Sequence, residues 1–257
     1  MKLSIITINL NNAEGLRKTI ESVVTQTFTD YEYIIIDGGS TDESVEVIKQ
    51  YADKITYWVS EPDKGIYNAM NKGILKANGE YLLFLNSGDI FFSKKSVKNL
   101  IEHSENYDIV YGNIWVINKD EGFVKQYPDE LTFGYFIYDT LPHPASLIKK
   151  NLFENNLYNE ELKIVSDWVF FMVSICKNNY SYKHVNEIIS IFYYDGLSSQ
   201  EVNRDITSKE KKECLSENFK LFLKEYEELN QLRQYKSRIN NIKIIKLIKK
   251  IRNFIKP

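Results

Sequence analysis

The sequence is poor in the residues that build disulfide scaffolds, and it has no long apolar run. Two cysteines, Cys176 and Cys214, occur in 257 residues and form no metal-binding or redox motif. We therefore expect reduced thiols and a cytoplasmic location, not a secreted disulfide framework. No stretch of about 18 apolar residues is present, so no membrane-spanning helix is expected. The first residues, MKLSIITINLNN, lack the pattern of a signal peptide and predict a strand.

Two common phosphate-binding motifs are also absent. No G-x-x-x-x-G-K-[ST] segment occurs, which argues against a P-loop nucleotide hydrolase. No G-x-G-x-x-G follows the first apolar run, which argues against a dinucleotide-binding dehydrogenase. The run leads instead into Asn9-Leu10-Asn11-Asn12. The net charge of −2 provides no general basic surface, and we expect no nucleic-acid partner.

Apolar runs alternate with segments of helical spacing over roughly the first 110 residues. Nearly continuous apolar runs of this kind are typical of strands buried on both faces of a parallel sheet. The predicted strands are Lys2–Asn9, Tyr31–Asp37, Ile55–Ser60 and Glu80–Asn86. The predicted helices are Asn11–Gln26, one that starts at the capping-box pair Ser40 and Glu43, and one from Lys64 to Ala77 that Asp63 can cap. This order predicts an α/β fold with a doubly wound, mostly parallel sheet flanked by helices.

The rest of the chain is less regular. We predict helices at Ser96–His103, Asp167–Lys177 and Lys209–Leu232, and strands at Ile109–Ile117, Phe123–Tyr127, Ala145–Ile148 and Ile188–Tyr194. This pattern divides the chain into a domain over 1–208, with halves at about 1–112 and 113–208, and a helical C-terminal extension over 209–257.

Polar and acidic residues follow the predicted strands. In an open α/β sheet, ligands bind outside the carboxyl ends of the strands. Those ends carry Thr7 and Asn9, then Asp37 and Asp42, then Glu61 and Asp63, and finally Asn86, Ser87 and Asp89. Asp42 and Asp63 are equally well explained as helix caps. A rim of carboxylates repels a bare phosphate, so we expect Mn²⁺ or Mg²⁺ to join the carboxylates to a diphosphate.

Four segments give a specific resemblance in their order and spacing: SIITINLNN, IIIDGGSTDES, EPDKGIYNAMNKGILKANGEYLLFLNSGD and VSDWVFF. Together they resemble the inverting family 2 glycosyltransferases of GT-A fold, over roughly residues 1–200. The resemblance implies a nucleotide-sugar-binding half at 1–112, an acceptor-binding half at 113–208 and a hexosyltransferase-like activity.

The resemblance also implies roles for the strand-end acids. The family's acid after the second strand holds the nucleotide base, usually uracil, and Asp37 stands there. The family's acidic metal-binding segment corresponds to Asn86-Ser87-Gly88-Asp89. Gly88 stands where many relatives have an acid, so Asp89 is left as the carboxylate ligand of the metal. The diphosphate and water would supply most of the other ligands.

The remaining donor contacts are implied in the same way. Asn71 belongs to an Asn-x-Gly segment that usually follows an arginine, but Met70 stands at the arginine's place. Lys64 is a candidate replacement for that cation. The predicted donor-binding set is Thr7, Asn9, Asp37, Glu61, Lys64, Asn71, Asn86 and Ser87.

Asp167 matches the family's general base, which must take the proton of the attacking hydroxyl. The alternative is a helix N-cap, worth about 1 kcal/mol. His143 and Trp168 are predicted to lie near the acceptor or the diphosphate, and a structural histidine is the alternative for His143.

The C-terminal residues differ in charge from the rest of the chain. From Lys236 onward there are eight basic residues and no acidic one, and isoleucines recur at every third position from Ile239 to Ile251. This pattern predicts a basic amphipathic helix that lies on an anionic membrane surface. A dimerisation helix and a helix packed on the catalytic domain are alternatives.

The combined prediction is an enzyme that moves a sugar from a nucleotide-diphosphate sugar, a UDP-sugar in most relatives, to an acceptor hydroxyl. A lipid-linked saccharide used in surface polysaccharide synthesis, at the inner face of the cell membrane, fits the basic tail. One alternative is a nucleotide-sugar-binding protein without transferase activity, which the residues Met70 and Gly88 suggest. Another is a nucleotidyltransferase, which would carry a glycine-rich basic loop after the first strand that this chain lacks.

Overall fold

A computed structural model describes residues 1–118, 121–154, 156–193 and 203–241. The chain divides into two compact units, Met1–Glu210 and a second unit that starts at Lys211.

The first unit contains the strands of a mixed sheet. They are β1 Leu3–Asn9, β2 Tyr31–Asp37, β3 Tyr57–Ser60, β4 Tyr81–Phe84, β5 Ile90–Phe91, β6 Ile109–Asn118, β7 Glu121–Lys125, β8 Ser146–Lys149 and β9 Tyr182–Tyr193. The helices of the described chain are α1 Ala13–Val24, α2 Ser44–Gln50, α3 Ile66–Lys76, α4 Ser96–Ile101, α5 Phe133–Tyr138, α6 Ser166–Cys176 and α7 Arg204–Asn241, with short 3₁₀ turns at Ala52–Lys54, His143–Ala145 and Lys150–Phe153.

The sheet runs in the order β3-β2-β1-β4-β8-β6-β9-β5, with β7 paired to β6. Strands β1 to β4 pair with one another in parallel. Strand β8 is antiparallel to both β4 and β6, whereas β9 is parallel to β6. Because β8 joins the two halves of the sheet, residues beyond 112 complete a sheet that the first 112 residues begin.

The helices pack through the apolar faces that their spacing predicts. In α1, Leu16, Ile20 and Val23 are fully buried. Helix α3 approaches β1 at Gly73, where an added Cβ would lie 2.5 Å from a methyl carbon of Ile6. A glycine at this position therefore allows the close contact between helix and sheet.

Two predicted helix caps are wrong. Helix α2 begins at Ser44 and not at Ser40, since the Ser40 hydroxyl donates to Asp37 instead of capping a helix. Helix α3 has Gly65 at its N-cap with no side-chain cap, and Asp63 accepts the N–H of Gly65. By contrast, Asp42 accepts the N–H groups of Ala13 and Ser44 and so stabilises the starts of two helices.

The second unit contains the part of α7 that follows Glu210. Its backbone departs from helical geometry at Phe219, with φ −135° and ψ 23°. Most of the predicted basic tail, residues 242–257, lies outside the described residues. Within the described part of the chain, no helix has the length and apolar character needed to cross a membrane.

Candidate active site

The parallel register brings the ends of three strands side by side. Asn9 of β1 pairs with Asp37 of β2, and Asp37 pairs with Ser60 of β3. The amide of Asn9 donates to Asp37 Oδ1 at 2.7 Å, and the hydroxyl of Ser60 donates to Oδ2 at 2.6 Å. The β-sheet register alone therefore builds a polar cluster at the carboxyl edge.

Asp37 is fully buried, and both of its carboxylate oxygens are occupied. Besides Asn9 and Ser60, the hydroxyl of Ser40 donates to Oδ1 and its backbone N–H donates to Oδ2. Burial would raise the pKa of Asp37, but the hydrogen bonds from Ser40, Ser60 and Asn9 outweigh it and hold the pKa below its ordinary value. In this conformation Asp37 joins the ends of β1, β2 and β3 through its hydrogen bonds.

A cleft of about 690 Å³ opens beside this cluster. Its walls come from the ends of β1 and β4, the start of α3, the turn before α6 and the end of β9. The predicted site residues in its lining are Asn9, Asn86, Ser87, Asp89, His143 and Asp167. The cleft therefore collects groups that lie up to about 160 positions apart in the sequence.

The segment from Asn86 to Asp89 is a tight turn at the cleft wall. The N–H of Asp89 donates to the carbonyl of Asn86 at 2.9 Å. Thr19 of α1 holds the turn, because its hydroxyl accepts the N–H of Gly88 and donates to the carbonyl of Asp89 at 2.8 Å. Gly88 has φ +105°, a conformation that side chains disfavour. The glycine found where relatives have an acid thus matches the backbone it occupies.

The residues of this turn fit a hard divalent cation. Asp89 brings a carboxylate, and the side-chain oxygens of Asn86 and Asn9 are buried with no hydrogen-bond partner among the described residues. Carboxylate and amide oxygens are the ligands that Mg²⁺ and Mn²⁺ prefer. No group of three or more His, Cys, Asp or Glu side chains with metal-binding geometry occurs in the described part of the chain. A cation here would depend on Asp89, amide oxygens and the substrate's own phosphates.

Asp167 lies in the first turn of α6 but does not cap it. The N-cap is Val165, so the N-cap interpretation of Asp167 is wrong. Instead, the hydroxyl of Tyr67 lies 2.9 Å from Asp167 Oδ1 and 2.6 Å from the carbonyl of Ile164. Burial, and then the charge of Asp167, raise the pKa of Tyr67 well above its ordinary value, so the hydroxyl keeps its proton and can donate it.

His143 lines the cleft with its ring mostly buried. Its Nε2 forms a 2.7 Å hydrogen bond with the hydroxyl of Tyr158, and its ring stacks on Phe84 with centroids 4.7 Å apart. Burial lowers the pKa of His143, although the charge of Asp167 works in the opposite direction. The imidazole is therefore neutral at pH 7. Trp168 is 3% exposed, and its indole donates to the carbonyl of Phe136 at 2.6 Å, away from the cleft lining.

Five residues of the predicted donor-binding set lie outside the cleft lining, namely Asp37, described above, and four others. Thr7 is buried between β2 and β4 and donates to the carbonyl of Leu85. Glu61 is exposed and pairs with Lys72 at 2.8 Å. The exposed Lys64 precedes α3, and Asn71 bonds to the segment around Tyr158. Their predicted roles remain predictions, and Met70 does line the cleft at the place of the family's arginine.

The cleft also contains residues that the sequence reasoning missed. Lys18 and Lys163 are in the lining, and Lys18 is paired with Glu14 at 2.6 Å. Lys163 is exposed and lies four residues before Asp167. The spacing of four residues between Lys163 and Asp167 is visible in the sequence. Only the fold shows that both residues line one cleft.

The sequence profile of glycosyl transferase family 2 matches residues 4–174. The chain belongs to this family. It is 43% identical over 101 residues to an uncharacterized glycosyltransferase of Mycobacterium tuberculosis, but this match spans only 39% of the chain and 38% of the relative's length. It is 26% identical to a PGL/p-HBAD biosynthesis glycosyltransferase of Mycobacterium bovis, over 80% of the chain and 82% of that relative. These matches confirm the predicted family.

Solved structures confirm the GT-A type fold. Residues 1–349 of S. aureus TarS in complex with UDP-GlcNAc match with a TM-score of 0.60 and 20% identity, over 75% of this chain and 58% of that one. The mannosyltransferase PcManGT from Pyrobaculum calidifontis, in complex with GDP-Man and Mn²⁺, matches with a TM-score of 0.59 and 13% identity, over 74% of this chain and 56% of that one. At these identities the likeness shows the fold.

Proposed function

We propose that the protein is an inverting glycosyltransferase that moves a sugar from a nucleotide-diphosphate sugar to an acceptor hydroxyl. The observation that carries the proposal is that one cleft collects the Asn86–Asp89 turn, the carboxylate of Asp167 and the imidazole of His143. Family membership supports it, as does the UDP-GlcNAc bound by a TarS structure of the same fold.

In the proposed reaction Asp167 is the general base. Its carboxylate accepts the proton of the acceptor hydroxyl as the hydroxyl oxygen attacks the anomeric carbon, and the nucleoside diphosphate leaves from the opposite face. A single displacement of this kind inverts the anomeric configuration. The hydrogen bond from Tyr67 keeps the carboxylate oriented through Oδ1. Its Oδ2, which has no hydrogen bond from another described residue, would accept the acceptor's proton.

Asp89 and the amide oxygen of Asn86 would hold Mn²⁺ or Mg²⁺ beside the diphosphate. A bound divalent cation supplies charge neutralisation for the leaving diphosphate. The Mn²⁺ in the PcManGT complex supports this choice of cofactor.

Lys163 would supply the positive charge that the family's arginine provides and that Met70, at the arginine's place, lacks. Its side chain is exposed in the cleft lining, and it is anchored on the turn that precedes α6. An ammonium group there can contact diphosphate oxygens as a point charge. Lys64, which lies outside the cleft lining, remains the alternative candidate for this contact.

The finer features of the function belong to the same proposal. We assign a UDP-sugar as donor and a lipid-linked saccharide as acceptor, in the synthesis of a surface polysaccharide. The basic residues from Lys236 onward would bring the enzyme to an anionic membrane surface on the cytoplasmic side, where such an acceptor is found.

Two substitutions test the assigned roles. Asp167→Asn removes the base, so we expect transfer to fall by about 10²–10⁴-fold while UDP affinity stays unchanged. Asp89→Ala removes the metal ligand, so UDP binding should lose its dependence on Mn²⁺. Calorimetry with UDP and Mn²⁺, followed by donor hydrolysis over a panel of nucleotide sugars, gives both readouts. Asp53→Asn, which changes an exposed carboxylate, is the control.

The outcomes also separate the alternatives. Full activity in Asp167→Asn would refute its role as the base. Tight UDP binding by the unaltered protein, with no turnover of any nucleotide sugar, would favour a nucleotide-sugar-binding protein without transferase activity.

A further inference from the structure

Glu210 makes an unusual set of hydrogen bonds with the chain just before α6. Glu210 lies in α7, within the first unit, and is only 8% exposed. Its Oε1 accepts the backbone N–H of Lys163 at 2.8 Å, and its Oε2 accepts those of Ile164 and Val165 at 3.1 and 3.3 Å. One carboxylate thus binds three successive N–H groups from a segment 45 to 47 residues earlier.

These N–H groups lead into helix α6. Those of Lys163 and Ile164 precede the helix, and that of Val165 belongs to its N-cap residue. Helix α6 has Val165 at its N-cap, and no side chain there forms a capping hydrogen bond. The N-terminus of a helix carries a partial positive charge, so a negative charge beside it is favourable. Glu210 supplies that charge, and a buried carboxylate needs such donors to offset its lost hydration.

A second group holds the same turn from helix α3. The hydroxyl of Tyr67 lies 2.6 Å from the carbonyl of Ile164 and 2.9 Å from the carboxylate of Asp167. Glu210 therefore fixes the N–H groups of the turn, and Tyr67 fixes a carbonyl. Two residues of the turn, Lys163 and Ile164, line the cleft together with Asp167.

We propose that Glu210 is a positioning residue for Asp167. It sets the position of the turn and the first residues of α6, and through them the place of the carboxylate that takes the acceptor's proton. The inference rests on the proposed role of Asp167 as the general base. A displacement of about 1 Å in a reacting group can cost about 100-fold in rate, so the loss of this anchor should appear in catalysis.

The test compares Glu210→Ala and Glu210→Gln with the unaltered protein. Alanine removes every acceptor, whereas glutamine keeps one carbonyl oxygen but turns an amide N–H toward a backbone N–H. We expect kcat for transfer to fall by about 10- to 100-fold in Glu210→Ala and by less in Glu210→Gln. The affinity for UDP with Mn²⁺ should change by less than kcat. Glu217→Ala, at an exposed position of the same helix, should keep wild-type kcat.

A merely structural role predicts a different result. Glu210→Gln preserves size and is the variant to judge if the alanine variant does not fold. Wild-type kcat in a folded Glu210→Gln or Glu210→Ala protein, measured well below its melting temperature, would overturn the inference even if the melting temperature had dropped.

The inference and the function on which it rests fail in different ways. If Asp167→Asn keeps full activity, the assignment of the base fails, whatever Glu210 does. If Asp167→Asn is inactive and the Glu210 variants are fully active, only the positioning role fails. In the Asp167→Asn background the Glu210→Gln substitution should cause no further loss of residual transfer, because the group that it positions is already absent.

Discussion

The proposed role of Lys163 is to provide the positive charge that is missing at Met70. Met70 occupies the place of an arginine in related sequences, and it lines the cleft as an apolar residue that is 2% exposed. Of the two lysines in the described lining, Lys18 is paired with Glu14, and Lys163 lies beside the turn that carries the proposed base. On this proposal the positive charge that contacts the diphosphate comes from a different part of the chain but still lies in the cleft.

We expect Lys163→Met to weaken UDP binding by about tenfold, the loss of roughly 1.4 kcal/mol from one charged contact. Calorimetry with UDP and Mn²⁺ measures the change. Lys64→Met is the matched control, since Lys64 was the candidate that the sequence offered and it lies away from the cleft lining. The opposite result, in which Lys64→Met weakens UDP binding and Lys163→Met does not, would show that the diphosphate contacts Lys64 and not Lys163.

Asp37 illustrates the limit of residue-level prediction. Its place at a strand end follows from the apolar run before it, and the structure puts it there. Two of its four hydrogen bonds, those from Asn9 and Ser60, depend on the register that aligns these residues across three strands, and the other two come from Ser40. A sequence shows which residues end strands but not how those ends pair, so it could not show that this carboxylate is already occupied.

At the scale of elements, α3 is tied to the segment before α6 by Asn71. This buried side chain donates to the carbonyl of Tyr158 and to Glu160, and it accepts the N–H of Tyr158 at 3.0 Å. The bonds join two segments that are 87 residues apart. Both segments lead to residues of the cleft, Tyr67 on one side and Asp167 on the other.

Replacing Asn71 with alanine should therefore lower stability more than donor binding. Loss of its partners leaves buried backbone groups unsatisfied, so we expect the free energy of unfolding to fall by about 1–3 kcal/mol. Urea unfolding measures this loss. Asn68→Ala is the control, because its amide donates to the same Glu160 carboxylate from a half-buried position and should cost less. A large loss of UDP affinity in a stable Asn71→Ala protein would instead support the predicted contact between Asn71 and the nucleotide-sugar donor.

The elements that the sequence predicts well are those with a strong local signal. The bounds of β2 match the prediction at both ends, because a continuous apolar run between polar residues defines them. The two-residue strand β5 and the helix α5 were missed. Strand β5 exists through its pairing with β9, a hundred residues later, and no local pattern encodes that contact. The same holds for Tyr67 and Glu210, whose partners lie far away in the sequence.

At the scale of the whole molecule, the C-terminal tail and the rest of the chain carry net charges of opposite sign. Eight basic residues follow Tyr235 with no acidic residue, whereas the rest of the chain has 25 basic and 35 acidic side chains. A membrane with anionic lipids would attract the basic tail and repel the acidic remainder of the chain. These opposite forces would orient the protein at the surface. A tail that packs on the catalytic domain or on a second copy of the chain would instead act without lipid.

We expect the full chain to co-sediment with anionic liposomes, and a chain that ends at Tyr235 to stay in the supernatant. Liposomes of neutral lipid are the control, and added salt should weaken the anionic binding because it screens the attraction. Unchanged binding to anionic liposomes after truncation would refute the proposal that the basic tail binds the membrane. A dimer that becomes monomeric on truncation, with no lipid binding by either form, would favour the dimerisation helix.

The joining strand β8 has a consequence for how the protein is made. During synthesis β4 is the open edge of a growing parallel sheet until β8 pairs with it. At about 5–20 residues per second, β8 follows β4 by roughly 3–13 s. Throughout that interval an apolar strand edge has no partner, and such edges are templates for association between chains. Nascent chains should therefore be most dependent on chaperones between the synthesis of β4 and β8, and substitutions that weaken β8 should reduce the yield of soluble protein before they affect its activity.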